Sequence, residues 1–167
     1  MHNVRHSSGY LRRQKGGCWP IDEANRPCEI DDDVTTTRYY PTTTEERAKF
    51  VNPKTSRTVT LFQYRVYDAC AQIPPGHFTT YKHLADALGS GPRAVGNALR
   101  LNPFAPLPIP CHRVLTSNYF LGGFDGDKHT KIFFKRAKLQ KEGLEFDDDG
   151  FVQLGLRESR LFADFKV

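Results

Sequence analysis

The sequence predicts an α+β protein whose mainly helical C-terminal domain contains a helix-turn-helix, preceded by a reduced or partly disordered N-terminal segment. The composition, 38% hydrophobic and 26% charged, is that of a globular chain. Residues 1–58 are rich in Thr, Arg, Pro, Asp and Gly and show no sustained period, whereas helical spacing begins near Thr60. We therefore predict a domain over residues 59–145 and a C-terminal tail over 146–167.

The net charge of the 167-residue chain is +5, which favours an anionic partner, nucleic acid before membrane. No apolar run reaches about eighteen residues, and Met1 is not followed by an apolar leader. We expect an intracellular monomer without membrane contact, nuclear if the source is eukaryotic. The four cysteines lack CxxC spacing and are expected to be thiols.

The first predicted helix follows Thr60 and ends at Pro74-Pro75-Gly76. Its apolar residues fall at helical spacing: Phe62, Val66, Ala69, Cys70 and Ile73.

A second helix is predicted after a cap at Thr79 or Thr80, and Gly89 ends it. Its apolar positions are Tyr81, Leu84, Ala85 and Leu88. The turn Ser90-Gly91-Pro92 leads into a third helix, from Arg93 to Leu101.

Two short helices joined in this way have the form of a helix-turn-helix, and a plain helical hairpin in a core is the alternative. The predicted apolar side of the third helix holds Ala94, Val95, Ala98 and Leu99. The outward side holds Arg93, Gly96, Asn97 and Arg100. Arginines flanking small residues suit a close approach to a DNA groove, which favours the helix-turn-helix.

The stretch Phe104 to Pro110 is rich in proline and is predicted to run extended into Cys111. Residues 121–126 are expected to form a flexible loop. A last helix is predicted from Thr130, as its cap, to Glu142, with Gly143 at its C-terminal end.

Cys111 is the candidate nucleophile because His112 follows it directly in Pro110-Cys111-His112-Arg113-Val114. A thiol attacks as its thiolate and needs a base, which itself needs an orienting group. In an extended chain these neighbours face opposite sides, which favours a bridging water, and Glu142 is the candidate to orient the imidazole. The alternative is a small buried hydrophobic cysteine.

This motif, with Arg93-Ala94-Val95-Gly96-Asn97-Ala98 and Asn102-Pro103 before it, closely resembles the O6-alkylguanine-DNA alkyltransferase family (methylated-DNA–protein-cysteine methyltransferases). The similarity runs from about Thr60 to about Gly143. It implies a suicide repair protein that binds duplex DNA containing O6-alkylguanine in the minor groove through the helix-turn-helix. The damaged base is flipped and its alkyl group passes irreversibly to the cysteine.

The resemblance also implies roles for individual residues. Arg93 resembles the finger that replaces the flipped nucleotide, Tyr81 the tyrosine that donates to guanine N3, and Asn102 the residue that braces the site. The carbonyls of Cys111 and Val114 would bind the exocyclic amine. Cys111, a water, His112 and Glu142 would form the proton relay, while Ala94, Gly96, Asn97 and Arg100 would contact DNA.

The loop departs from the family pattern. Phe124 stands where many members have tyrosine, and Asp125 stands where a small residue is usual, with its main-chain amide expected near O6. The chain is also several residues longer between Phe124 and Glu142. These differences affect the loop that closes the pocket and leave the nucleophile in place.

Some family members bind a structural zinc near the N-terminus, for which His2, His6, Cys18 and Cys28 are the candidate ligands. Their spacing fits no tight zinc pattern, so we predict no cofactor. Three other functions stay open: an alkyltransferase-like protein that binds alkylated guanine without transfer, a helix-turn-helix regulator with a sensor thiol, and a cysteine hydrolase. The presence of Cys111 argues against the first, because such relatives typically replace that cysteine.

Overall fold

The computed structural model describes residues 34–122 and 130–167, except for the side chains of residues 130 and 131. Residues 1–33, with the candidate zinc ligands, and the loop residues Phe124 and Asp125 therefore lie outside the described residues. In the described ranges the helices are α1 (Thr44–Lys49), α2 (Leu61–Cys70), α3 (Tyr81–Leu88), α4 (Pro92–Arg100), α5 (Thr130–Lys141) and α6 (Arg157–Arg160). Helices and small sheets occur together, which confirms the predicted α+β class.

Two small sheets accompany the helices. Strands β1 (Val51–Asn52) and β2 (Arg57–Thr58) form an antiparallel hairpin. Strands β3 (Thr79–Thr80) and β4 (Val114–Leu115) pair in parallel. Within the described ranges, no helix combines the length and the apolar character needed to cross a membrane.

Residues 34–58 are more structured than their composition indicates. A capping box holds the start of α1, because the Thr43 hydroxyl accepts from the Glu46 amide and the Glu46 carboxylate accepts from the Thr43 amide. Tyr40 and Phe50 pack against the main core beside Phe104, with ring centroids 4.9 Å and 5.0 Å from it. These aromatic contacts join the segment to the helices that follow.

Helix α2 begins and packs as predicted. Thr60 and Gln63 form its capping box. Val66, Ala69, Cys70 and the following Ile73 are buried, and Phe62 is partly buried against the same core. This core also contains residues of α3 and α4, so α2 supports both helices of the predicted helix-turn-helix.

Helices α3 and α4 are joined by a short turn, residues 89–91. Thr80 caps α3 through a hydrogen bond from the His83 amide, and Gly89 ends it with the left-handed φ of 64° that glycine adopts without strain. Val95, Ala98 and Leu99 form the buried side of α4. The predicted helix pair and its glycine turn are therefore present. Their presence does not by itself assign DNA binding to α4.

The stretch before Cys111 turns and bends over residues 103–109, apart from a β-bridge of Leu107 with Thr37, so the prediction of an extended run was wrong. The amide of Leu107 donates to Thr36, its carbonyl accepts from Arg38, and Arg38 Nε donates to Ala105 over 2.6 Å. The Ala105-Pro106 and Leu107-Pro108 bonds are cis. The amide of Ile109 donates back to the Phe104 carbonyl, so the chain turns within this stretch despite the local preference of each pre-proline residue for extended backbone.

The C-terminal tail packs against the β3 and β4 sheet. The amide of Phe78 donates to Arg160, and the Phe78 carbonyl accepts from the Phe162 amide. A second hydrophobic cluster forms there, with these buried residues: Phe78, Leu115, Leu121, Leu139, Leu144, Phe146 and Val152. The segment that follows Cys111 is thus held between α5 and the tail.

Candidate active site

Cys111 begins a single 3₁₀ turn, Cys111–Arg113, between the proline-rich stretch and β4. The prediction of an extended Cys111-His112 pair was therefore wrong. Side chains in a 3₁₀ turn are about 120° apart, so neighbours diverge around the turn instead of alternating between two faces. The Cys111 side chain packs in the main core, and the residue is 6% exposed.

The thiol of Cys111 is protonated in the resting protein. Burial raises its pKa above the ordinary value of 9.0, and a hydrogen bond with Asn102 together with the charge of Lys135 partly opposes this rise. A protonated thiol is a poor nucleophile. A reaction of this thiol as a nucleophile would therefore need a base that removes its proton.

Asn102 braces the segment that carries Cys111. Its Nδ2 donates to the Ile109 carbonyl over 3.1 Å, and its Oδ1 accepts from the Phe104 amide over 2.8 Å. The side chain is buried and both bonds are internal. Asn102 thus fixes the two ends of the proline-rich stretch relative to the end of α4.

His112 and Glu142 lie in direct contact. His112 Nε2 is 3.0 Å from Glu142 Oε1, and the two side chains are 1% and 4% exposed. Arg113 binds the same carboxylate with Nε at 3.0 Å and Nη2 at 2.7 Å, and its Nη1 donates to the Ile73 carbonyl. The bidentate arginine holds Glu142, which in turn orients the imidazole.

The protonation states of this pair suit a general base. Burial lowers the pKa of His112 below 6.5, although Glu142 opposes the shift. Burial raises the pKa of Glu142, but hydrogen bonds from His112 and Arg113 outweigh it and hold the net pKa below 4.5. At neutral pH the imidazole is therefore neutral and Glu142 is charged.

Gly76 lets the chain before β3 pass close to this network. A Cβ at residue 76 would lie 2.9 Å from the Glu142 carbonyl oxygen, and the φ of +77° is one that side chains rarely adopt. Residue 76 must therefore be glycine for two reasons, its backbone conformation and the lack of space for a side chain.

Lys135 is a buried cation that the sequence analysis missed. It is 0% exposed, and its Nζ donates over 2.6 Å to the Val114 carbonyl and lies 5.8 Å from the centroid of the Tyr81 ring. Burial lowers its pKa to about 8. The signal was its spacing, because Lys135 lies between Ile132 and Leu139 on the inward side of α5.

Val114 and Tyr81 both lie beside Lys135. The Val114 carbonyl already accepts from Lys135, so a substrate amine would share this oxygen. Burial raises the pKa of the Tyr81 hydroxyl, which therefore remains a donor. A cleft of about 530 Å³ is lined by residues that include Tyr81, Arg93, Gly96, Thr116 and Ser117.

The outward side of α4 is exposed as predicted. Arg93, Asn97 and Arg100 are exposed, whereas Ala94 and Gly96 are partly buried. Phe124 and Asp125, the two candidate substrate contacts in the loop, lie outside the described residues. Among the residues that are described, no group of three or more His, Cys, Asp or Glu side chains is arranged to hold a metal ion.

Comparisons with known proteins give the family. Residues 61–144, half of the chain, match the model of the 6-O-methylguanine DNA methyltransferase, DNA binding domain. Two methylated-DNA–protein-cysteine methyltransferases are similar. The Saccharolobus islandicus protein is 42% identical over 52% of this chain and 54% of its own length. The Methanothermobacter thermautotrophicus protein is 40% identical over 53% of this chain and 47% of its own length. The chain spans about half the length of these relatives.

A solved structure is similar over more of its own length. Atl1 of S. pombe, in complex with damaged DNA containing O6-carboxymethylguanine, superposes with a TM-score of 0.50 at 28% identity, over 60% of this chain and 94% of that one. The matched residues of the family model include α2 to α5 and the Cys111 turn. The chain belongs to the 6-O-methylguanine DNA methyltransferase family.

Proposed function

We propose that this protein repairs DNA by transferring the alkyl group of O6-alkylguanine irreversibly to Cys111, once per molecule. The observation that carries the proposal is a buried thiol, Cys111, followed directly in the chain by a buried His112 whose imidazole is held by Glu142. The family membership supports the substrate class.

The chemistry is a single displacement. His112, acting through a water, takes the Cys111 proton, and the thiolate attacks the alkyl carbon. A sulfur–carbon bond forms while the bond between that carbon and O6 breaks. The departing guanine takes up one proton, which replaces the one that Cys111 gave up. We assign its delivery at N3 to the Tyr81 hydroxyl, which regains a proton from solvent, while His112 releases to solvent the proton that it took from Cys111. Cys111 is left as a thioether, which explains the single turnover.

The DNA side of the proposal assigns α4 to the minor groove. Arg93 at its start would occupy the space of the flipped nucleotide, while Ala94 and Gly96 allow close approach of the backbone. Asn97 and Arg100 would contact the same duplex. The cleft between Tyr81 and Thr116 is the proposed entrance for the flipped base.

The test is the intact mass of the protein after incubation with excess duplex DNA containing O6-methylguanine. We expect the gain of one methyl group per chain and no further gain with time. The variant Cys111→Ala is expected to bind the same duplex and to gain none. Unmodified wild-type protein at saturating DNA would contradict transfer.

A second function is favoured by one specific finding. Atl1, which was solved in complex with O6-carboxymethylguanine DNA, is covered over 94% of its length, more than the methyltransferases are. Recognition of alkylated guanine without transfer is therefore the alternative. Tight binding of the lesion duplex with no mass change would support this alternative and reject repair.

A further inference from the structure

A basic hairpin, residues 51–58, lies against the C-terminal end of α4 and outside the region that the family model matches. Asn52 is 2% exposed, and its Nδ2 donates over 2.8 Å to the carbonyl of Leu101, the residue that ends α4. A buried side-chain bond of this kind fixes the hairpin to the helix.

The two cations of the hairpin are exposed, Lys54 in its turn and Arg57 in β2. Arg57 is directly opposite Asn52 in the antiparallel register, and side chains at opposite positions leave from the same face. Since the Asn52 side chain faces α4, the Arg57 side chain extends from the face of the hairpin that is turned toward α4. Within residues 34–122 and 132–167, no carboxylate lies within ion-pair distance of the Arg57 guanidinium.

The turn of the hairpin is held in one conformation. The Asn52 carbonyl accepts from the amides of Thr55 and Ser56, and the Asn52 side chain accepts from the Lys54 amide over 2.9 Å. Ser56 has the left-handed φ of 56°. A turn that is already ordered loses little conformational entropy when it binds a ligand.

Lys54 lies close enough to Cys111 for its charge to be one of those that lower the pKa of that thiol. Arg100, in the last turn of α4, is exposed nearby in sequence and precedes the residue that Asn52 binds. The hairpin thus extends the positive surface of α4 around its C-terminal end. Phosphate groups are the ligands that such a surface binds.

We propose that the basic hairpin binds the sugar–phosphate backbone of the duplex that α4 engages, through Lys54 and Arg57. This inference rests on the proposed function, because it requires a DNA partner. It adds a contact from a part of the chain outside the matched family region. The contact is with phosphates and is expected to be the same for every base sequence.

The test measures dissociation constants of the full-length protein for a duplex containing O6-methylguanine, in a Cys111→Ala background, over a series of salt concentrations. We expect Lys54→Ala and Arg57→Ala each to weaken binding about three- to fivefold. Each is also expected to reduce the slope of log affinity against log salt by about 1, as the loss of one phosphate contact does.

Two further variants make the result specific. Arg57→Lys keeps the charge and is expected to restore the salt slope, and Lys166→Ala, an exposed lysine in the tail, is expected to change neither quantity. An unchanged affinity and slope in Arg57→Ala would overturn the hairpin proposal while leaving the proposed function intact. So would weaker binding at an unchanged slope, which indicates a structural effect. Failure of the Cys111→Ala parent itself to bind the duplex would reject the proposed function together with this inference.

Discussion

The Cys111 site and the outward face of α4 differ in how their charges are satisfied. In the site the side chains of Arg113, Glu142 and Lys135 are buried, and each makes hydrogen bonds within the chain. On α4, Arg93 and Arg100 are exposed, with no carboxylate at ion-pair distance within the described ranges 34–122 and 132–167. The buried groups are thus held by partners within the chain, whereas the exposed cations of α4 are available to an external partner.

The difference predicts that substitutions in the two regions act on different quantities. A change in the site removes partners from buried polar groups and lowers the free energy of unfolding. A change on α4 leaves folding intact and alters only the interaction with DNA.

The largest effect is expected from Glu142→Ala. It leaves Arg113 buried without its carboxylate, so we expect a loss of about 3 to 5 kcal/mol in the free energy of unfolding. Denaturant unfolding measures this loss. The matched control is Glu145→Ala, an exposed glutamate three residues later, expected to change stability by less than about 0.5 kcal/mol. Similar losses in the two variants would contradict the role of the buried network.

The next effect is expected from Asn102→Ala. The Phe104 amide and the Ile109 carbonyl lose their partners, so we expect a loss of about 3 kcal/mol in stability. Asn97→Ala, on the exposed side of α4, is the control and is expected to leave the unfolding midpoint nearly unchanged. Thermal unfolding of the two variants gives the comparison directly, and equal midpoints would show that Asn102 braces nothing.

Arg93→Ala is expected to act on DNA alone. Because the side chain is exposed, stability should change by less than about 0.5 kcal/mol. Reaction with a lesion in duplex DNA should fall about tenfold, on the order of 1.4 kcal/mol, and far more than reaction with the free alkylated base. Equal losses on both substrates would remove the finger role from Arg93.

The smallest effect is the pH dependence of transfer from the free base. The pKa of His112 is below 6.5 in the folded protein, so the imidazole stays neutral at pH 7 and becomes protonated only in more acidic solution. The rate should therefore be insensitive to protonation of this histidine near neutrality and fall only in solution more acidic than pH 6.5. A transfer rate that is already lost when the pH is lowered to about 7 would exclude His112 as the base.

The helices could be predicted from the sequence because their signals are local. Thr60 and Thr80 begin α2 and α3 as caps, and Gly89 ends α3. The path before Cys111 could not be predicted, since the stretch is held by hydrogen bonds with Thr36 and Arg38, some 70 residues earlier in the chain.

The site shows the same division. The contact of His112 with Glu142 was expected from the family resemblance. The second partner of Glu142, Arg113, and the buried Lys135 were missed, because both contacts join residues more than 20 positions apart. A buried charge also contradicts the usual reading of lysine as a surface residue.

Cys111 and Cys70 are both free and buried, which allows an internal control for the central claim. Cys70 is fully buried in the main core, and burial raises its pKa well above the ordinary value. The decisive measurement is the peptide-resolved mass of both cysteines after reaction with duplex DNA containing O6-methylguanine. We predict one methyl group on Cys111 and none on Cys70, and an unmodified Cys111 at saturating DNA would contradict repair by transfer.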